Sequence, residues 1–517
     1  MHPSRRHPRI AVAVAAAVAV LFAPSTAAAD DGKVRLVRDA DASATALLTE
    51  STAAQQEWMR THYWRMRGYS PFFTWHGLDW APPTHEYEDI YAIYTDGRDR
   101  QMIADHPDWI LRDAAGRPLY IRYACSGGTC PQYAADVGSP GWRSFWIERI
   151  RQTLSKGYAG IWIDDINMNV DRVSDGTGTA VAPIDPRTGT TMTNADWRRY
   201  MAEFVEQIRA ALPAVEIVHN SVWFLTSHTD AFDRRQVAAA DIINLERGFS
   251  DCGIVGGTGK FGYETYLAHI DWLHSLGKSV MHQPHNSSTC PFTPIAREFE
   301  LASYYLMKSM SDSITASLGA DPGNWWRGWE TDLGTPQGQR SNWNGLLRRD
   351  YAQGMVLVNQ PGASTRTVTL PTDAGWTDLA GNPVTSVTLE ARRGKVLLKT
   401  PTDPTPEPTP EPEPTEPEPT PEPDPVTIKP KKPKVDRGRK IVLRGATAVT
   451  VAARTTSAPM AAIERRRGGK WRTVKRVHVV DGRYRAQLRA RPRGIHRYRA
   501  VAPSVPPSRM VRVRVTS

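Results

Sequence analysis

The stretch Gly160-Ile161-Trp162-Ile163-Asp164-Asp165 decides the reading of this chain. A short apolar run that stops abruptly at two acids reads as a buried strand with chemistry at its C-terminal end. A helical pattern precedes it, with Trp142, Phe145, Trp146, Ile150 and Leu154 on one face. Another follows, through Trp197, Tyr200, Met201, Phe204, Val205 and Ile208. Val215 to Val218 then runs into His219-Asn220, and Asp241 to Leu245 runs into Glu246. A helical run over about 263–276 and strand candidates at Lys278–His282 and Ser313–Ala316 continue the alternation. Strand–helix alternation predicts a parallel α/β fold, and polar residues ending successive strands favour a (β/α)8 TIM barrel over an open sheet. The first half is less regular. Tyr69–Trp75, Ile90–Tyr94 and a run near Tyr133–Val137 are the candidates for strands one to three.

Catalytic groups in such a barrel project from the C-terminal ends of strands. Side chains alternate along a strand, so only one of Asp164 and Asp165 can look into the mouth. Asp164 shares a face with Gly160 and Trp162 and is the expected reactive group, with Asp165 as a supporting carboxylate. Glu246 ends a later strand, and a second acid facing the same mouth completes the pair that glycosidic cleavage needs. One carboxyl group protonates the leaving oxygen, while the other attacks the anomeric carbon or activates water. Asn220 is placed to hydrogen-bond a sugar hydroxyl or the nucleophile; capping its own loop is the plainer role for it. Trp75, His76 and Trp80 in one loop, Trp223, and His282 at another strand end are expected substrate contacts. Fifteen of the 17 tryptophans lie between residues 58 and 343. Aromatic rings can cover the apolar face of a sugar, although Trp146, Trp197 and Trp272 sit on helical faces and belong to the core. His282 and His285 could instead serve a metal-dependent deacetylase, but no aspartate lies within a few positions of them. No metal and no cofactor is expected.

The rest of the chain sets the context. The 517 residues carry a formal charge of +11, unevenly spread. Residues 30–400 net −7, residues 401–425 net −8, and residues 426–517 net +23. A chain that is basic throughout is excluded, and with it a general nucleic-acid binder. Arg5, Arg6 and Arg9, the apolar run Ile10–Phe22, and Ala27-Ala28-Ala29 read as a signal peptide over residues 1–29. The expected product is secreted, with no transmembrane segment. In an oxidising compartment the four cysteines are expected to pair. Three pairings are possible, and sequence proximity favours Cys125 with Cys130, leaving Cys252 with Cys290. The expected domains are a barrel over 30–342, a β module over 343–400, a Pro/Glu/Thr linker over 401–425 and a basic β sandwich over 426–517. The linker repeats Thr-Pro-Glu-Pro and reads as a stiff polyproline-II spacer. The sandwich is expected to be immunoglobulin-like, because short period-two strands such as Val511-Arg512-Val513-Arg514-Val515 recur at even spacing. Its charge suits an anionic wall polymer.

Five motifs carry a family resemblance. They are Trp109-Ile-Leu-Arg-Asp-Ala-Ala-Gly, Cys125-Ser-Gly-Gly-Thr-Cys-Pro-Gln-Tyr, Gly160-Ile-Trp-Ile-Asp-Asp-Ile-Asn, Glu216-Ile-Val-His-Asn and Asn244-Leu-Glu-Arg-Gly. Residues 34–400 resemble glycoside-hydrolase-like family fifteen of secreted actinobacterial proteins, which is distinct from the glucoamylases. The resemblance implies a TIM barrel with a nucleophile ending strand four and an acid/base ending strand six. Carried over by position, these are Asp164 and Glu246. The expected function is a secreted, two-carboxylate, retaining glycosidase acting on a polysaccharide. The alternatives are a non-catalytic wall-binding protein on the same scaffold and the deacetylase.

Overall fold

The structure is a computed structural model. It describes residues 31–400 apart from 41–43, 69–79, 96 and 317, and residues 429–516 apart from short segments (431–433, 437–439, 447–459, 468–469, 480–482, 490–493 and 502–509). The leader, the linker, Trp75 and His76 lie outside the described residues, as does the candidate strand Tyr69–Trp75. The chain divides into two compact units, Met1–Thr405 and Pro406–Ser517.

In the first unit eight strands close a barrel in sequence order. They are β1 (Leu36–Ala40), β2 (Arg65–Gly68), β3 (Thr84–Asp89), β4 (Gly160–Asp164), β5 (Glu216–Asn220), β6 (Ile242–Arg247), β7 (Ser279–Pro284) and β8 (Ser313–Ala316). Every neighbouring pair is parallel, and β8 closes on β1 with Ile314 opposite Leu36. Outside the barrel run α1 (Ala53–His62), α2 (Pro140–Leu154), α3 (Asn194–Ala211), α4 (Ala231–Ala239), α5 (Tyr263–Ser275) and α6 (Pro294–Met307). Their starts are written in the sequence. Thr193 and Asp196 form a capping box at α3, and Ser139 and Thr293 cap α2 and α6 just before a proline.

The first three strands differ from expectation. Ala92–Tyr94 and Gln132–Ala134 are strands, but they pair antiparallel with each other in a small sheet made by the loops after β3 and β4. The barrel uses Leu36–Ala40, Arg65–Gly68 and Thr84–Asp89 instead. These strands hide from a hydropathy pattern because they bury charge. All six residues of Thr84-His-Glu-Tyr-Glu-Asp89 are buried, and Arg38 and Arg67 are as enclosed as any core residue. Each buried charge needs a partner. Arg67 meets Asp39 at 2.8 Å and lies over the Trp162 ring, Arg38 meets Asp321 at 2.8 Å, and Glu88 takes Arg98 and Arg149.

After the barrel come β9 (Ser341–Trp343), β10 (Leu346–Tyr351), β11 (Gly354–Asn359), β12 (Arg366–Thr369), β13 (Trp376–Thr377), β14 (Ser386–Leu389) and β15 (Arg393–Lys399). β9, β10, β11, β15 and β13 form one antiparallel sheet, and β12 pairs with β14. β11 has a core on each side. Met355 and Leu357 pack with Trp376 and Leu389, while Val356 and Val358 join Phe299, Ala302 and Leu306 of α6.

The second unit is built of a three-stranded and a five-stranded sheet. Ile441, Leu443 and Ala486 of the first share a core with Ile463, Tyr498, Ala500, Val513 and Val515 of the second. Arg512 and Arg514 point outward between those valines. The candidate strand Val449-Thr-Val lies outside the described residues. Among the described residues no helix is long and apolar enough to cross a membrane.

Candidate active site

Period two fixes what faces the lumen. On β4, Trp162 packs inside the barrel with Tyr87, Val218, Ile242 and Met281, while Ile161 and Ile163 face the helices. Asp164, two residues past Trp162, therefore emerges at the mouth. On β5 the inward residues are Val218 and Asn220; on β6 they are Ile242, Asn244 and Glu246; on β7 they are Met281 and Gln283.

These side chains form one network. Asp164 accepts three hydrogen bonds: from its neighbour's backbone N–H of Asp165 (2.8 Å), from Asn220 Nδ2 (2.8 Å) and from the Tyr87 hydroxyl. The same Asn220 Nδ2 donates to Glu246 at 3.2 Å. Asn220 Oδ1 accepts from Asn244 Nδ2 at 2.9 Å, which also donates to Gln283 at 3.1 Å. Gln283 in turn accepts from Arg67 at 3.0 Å. The chain of bonds crosses the barrel from β2 to β4 and fixes both acids from below.

The two carboxyl groups differ electrostatically. The Glu246 carboxyl opens to solvent in a cleft of about 380 Å³ that it shares with Asp39, Arg247, Gln283, His285 and Asn286. Desolvation by the surrounding protein, reinforced by the Asp164 charge, raises its pKa; the Asn220 donor pulls the other way. Asp164 is partly enclosed and saturated with donors.

The Asp165 side chain takes partners outside this network. Its backbone is left-handed (φ 57°), and its Oδ1 accepts from Asn167 at 2.7 Å. It faces Asp89, which accepts the backbone N–H groups of Tyr91 and Ala92. Burial, and then the Asp164 charge, push Asp165 up to about 7; Asp89 is raised by burial and the Asp165 charge. The pair sits behind Asp164 and touches it through the backbone.

Other expected contacts lie elsewhere. His282 is fully buried on the helix side of β7, stacked on Phe249 at 4.8 Å, because position 282 alternates with the inward Met281 and Gln283. Trp223 is also buried, against Tyr266 at 5.0 Å, and Trp80 packs on the main core. His285 does reach the cleft, beside Arg247. With His282 sealed in the wall, the two histidines do not present a joint metal-binding face. Among the described residues no group of three or more metal-ligating side chains gathers. Tyr87, Asn244, Gln283 and Arg67 escape a reading of the sequence alone. Inward alternation from Glu246 and from Met281 signals Asn244 and Gln283; nothing signals the other two.

Both expected disulfides are formed. Cys252–Cys290 has its Cα atoms 5.8 Å apart and clips the loop after β6 to the loop after β7. Cys125–Cys130, at 4.0 Å, is tighter than the usual range of about 4.4–6.8 Å.

No curated protein matches the sequence. Among solved structures, similar folds include the glycoside hydrolase domain of PelA from Pseudomonas aeruginosa (12% identity, 55% of this chain and 95% of that one, TM-score 0.33). They also include the trehalose-6-phosphate hydrolase of Bacillus licheniformis (9%, 71% and 99%, TM-score 0.43). A third is the α-galactosidase of Thermus thermophilus in complex with stachyose (12%, 59% and 66%, TM-score 0.37). The sequence model described as hypothetical glycosyl hydrolase family 15 matches residues 78–355. That span holds β3 to β8, the Asp164–Asn220–Glu246 bridge and the first strands of the following sheet, and this chain belongs to that family.

Proposed function

We propose that the protein is a retaining glycoside hydrolase acting on a polysaccharide, with Asp164 as nucleophile and Glu246 as acid/base. One observation carries the mechanism: a single nitrogen, Asn220 Nδ2, touches both carboxylates at 2.8 Å and 3.2 Å. Two oxygens so held are separated by no more than those lengths end to end, about 6 Å. Retaining pairs stand about 5–5.5 Å apart, and inverting pairs about 6.5–9.5 Å. In the first step protonated Glu246 gives its proton to the glycosidic oxygen while Asp164 attacks the anomeric carbon. The product is a glycosyl-enzyme. Water then attacks that carbon as Glu246 takes its proton, and Asp164 leaves. Three donors hold Asp164 in one orientation. Glu246, desolvated and beside a negative charge, keeps its proton to higher pH than a free glutamate.

Release of reducing ends from a panel of actinobacterial wall polysaccharides tests this reading. Glu246→Gln and Asp164→Asn should each lower release by about 10²–10⁴-fold. NMR of the first product should show the anomeric configuration of the substrate. An inverted first product, or full activity in either variant, would overturn the assignment. We further propose that the protein is exported, cleaved before Asp30 and held near an anionic wall polymer by residues 426–517. The two disulfides and the net +23 of that segment support this reading. The N-terminal sequence of the mature chain checks the cleavage.

A further inference from the structure

Two phenyl rings stand open at the C-terminal end of the barrel, beside the buried Trp223. Phe224 follows directly, in the turn after β5, and is 37% exposed. Phe261, 43% exposed, ends the loop between β6 and α5. Their ring centres are 4.8 Å apart and their planes cross at 68°. The Lys260 ammonium lies 5.7 Å and 5.5 Å from the two centres. Val255, also exposed, is hydrogen-bonded to the Phe261 backbone (2.9 Å).

Both loops leave the C-terminal ends of barrel strands, the end that carries Asp164 and Glu246. Phe224 is four residues on from Asn220, a path of at most about 14 Å. The rings are therefore within a few sugar units of the carboxylate pair.

The loop that carries Phe261 is held rigidly. Glu300 of α6 accepts the Phe249 and Ser250 N–H groups at 3.1 Å and 2.6 Å. The Cys252–Cys290 bridge pins the next residues, and Arg392, just before β15, donates to the carbonyls of Asp251 and Ile254. At Gly256 the loop lies so close to Pro361 that a Cβ would come within 2.4 Å of its carbonyl oxygen. Fixed aromatic faces bind with little loss of freedom, whereas a mobile apolar loop does not.

We propose that Phe224 and Phe261, with Lys260 beside them, form a stacking platform for a sugar ring of the glycan that crosses the barrel mouth. The C–H face of the sugar covers one phenyl face, the other ring closes its edge, and the ammonium donates to a ring hydroxyl. The platform rests on the glycosidase reading for its ligand, but its test separates the two. Full-length protein is run through native gels containing soluble starch, dextran, galactomannan or polygalacturonate, the last at high salt to screen the basic second unit. At least one should retard the wild type. Phe224→Ala/Phe261→Ala should weaken that retardation about tenfold, with Phe→Trp at both sites restoring it and circular dichroism unchanged. Equal retardation of wild type and double alanine variant, or no retardation by any of the four, overturns the platform. If polymer is cut and bound equally well without the rings, the platform fails and the hydrolase stands. If retardation depends on the rings while no reducing ends appear from any glycan, the platform stands and the hydrolase reading fails.

Discussion

Asn220 serves both acids with one amide nitrogen. Its donor orients Asp164 and also stabilises ionised Glu246, which burial and the Asp164 charge disfavour. On the proposed mechanism the basic limb of the kcat/KM–pH profile reports loss of the Glu246 proton. Removing a donor to the carboxylate favours the protonated form, so Asn220→Ala should move that limb to higher pH while lowering the rate. A limb that moves down or stays would remove Glu246 from the acid role. At this scale the sequence is legible where alternation is strict. Gly160, Trp162 and Asp164 share the lumen face of β4, and a stretch of five residues is enough to see it. His282 shows the limit: a polar residue at a strand end looks functional, yet it occupies the outward register, and nothing local distinguishes a sealed histidine from an exposed one. Tyr87 and Arg67 were illegible for a different reason. They lie in strands whose charges are neutralised by partners far away in sequence, such as Glu88 with Arg149 and Arg65 with Glu216, so their strands read as loops.

At the scale of elements, the loop between β6 and α5 is where cross-links concentrate. The Cys252–Cys290 bridge spans a sequence separation of 38 residues. Closing a loop of that size restricts the unfolded chain, and its loss should cost about 2–4 kcal/mol. Urea unfolding of Cys252→Ser/Cys290→Ser against wild type measures this; Cys125–Cys130, at a separation of 5, should matter less. Glu300 adds a pH dependence. It is fully buried, and desolvation raises its carboxyl from 4.5 to about 7 despite the N–H donors it holds. A carboxyl whose folded pKa is raised binds its proton more tightly when folded. Stability is therefore full below about pH 4.5 and falls as pH rises towards 7. The loss is on the order of 3 kcal/mol. Asp165, raised to about 7 by burial and Asp164, pushes the same way. Glu300→Gln should flatten part of the decline in urea midpoint between pH 4.5 and 7, even though it destabilises the loop overall. An unchanged slope would mean that Glu300 stays ionised throughout.

On the scale of the whole molecule, the two units have separate cores, and every catalytic candidate lies in the first. Ending the chain at residue 405 should leave hydrolysis of a soluble fragment intact and abolish retention on cell walls. A pull-down at low and high salt checks this, because binding by many exposed cations weakens as salt screens them. Equal retention of both forms would sink the anchoring role. In the sequence a joint reads as a change of composition at residue 401, from mixed sequence to Pro/Glu repeats and then, from 426, a basic segment. The sheet before it gave no comparable sign of how tightly it is joined to the barrel, because the alternation of β11 shows two apolar faces without saying what covers them. It is a party wall: Met355 and Leu357 furnish one room, Val356 and Val358 the other. A builder who demolishes the smaller room leaves the larger one without a side. A chain stopped at residue 342 would strip α6 of its cover and unhook Arg392 from the loop that bears Phe261. The barrel thus draws on residues as far as Lys399, more than eighty past the end of its eighth strand at Ala316, and engineers who graft or swap it inherit them with it.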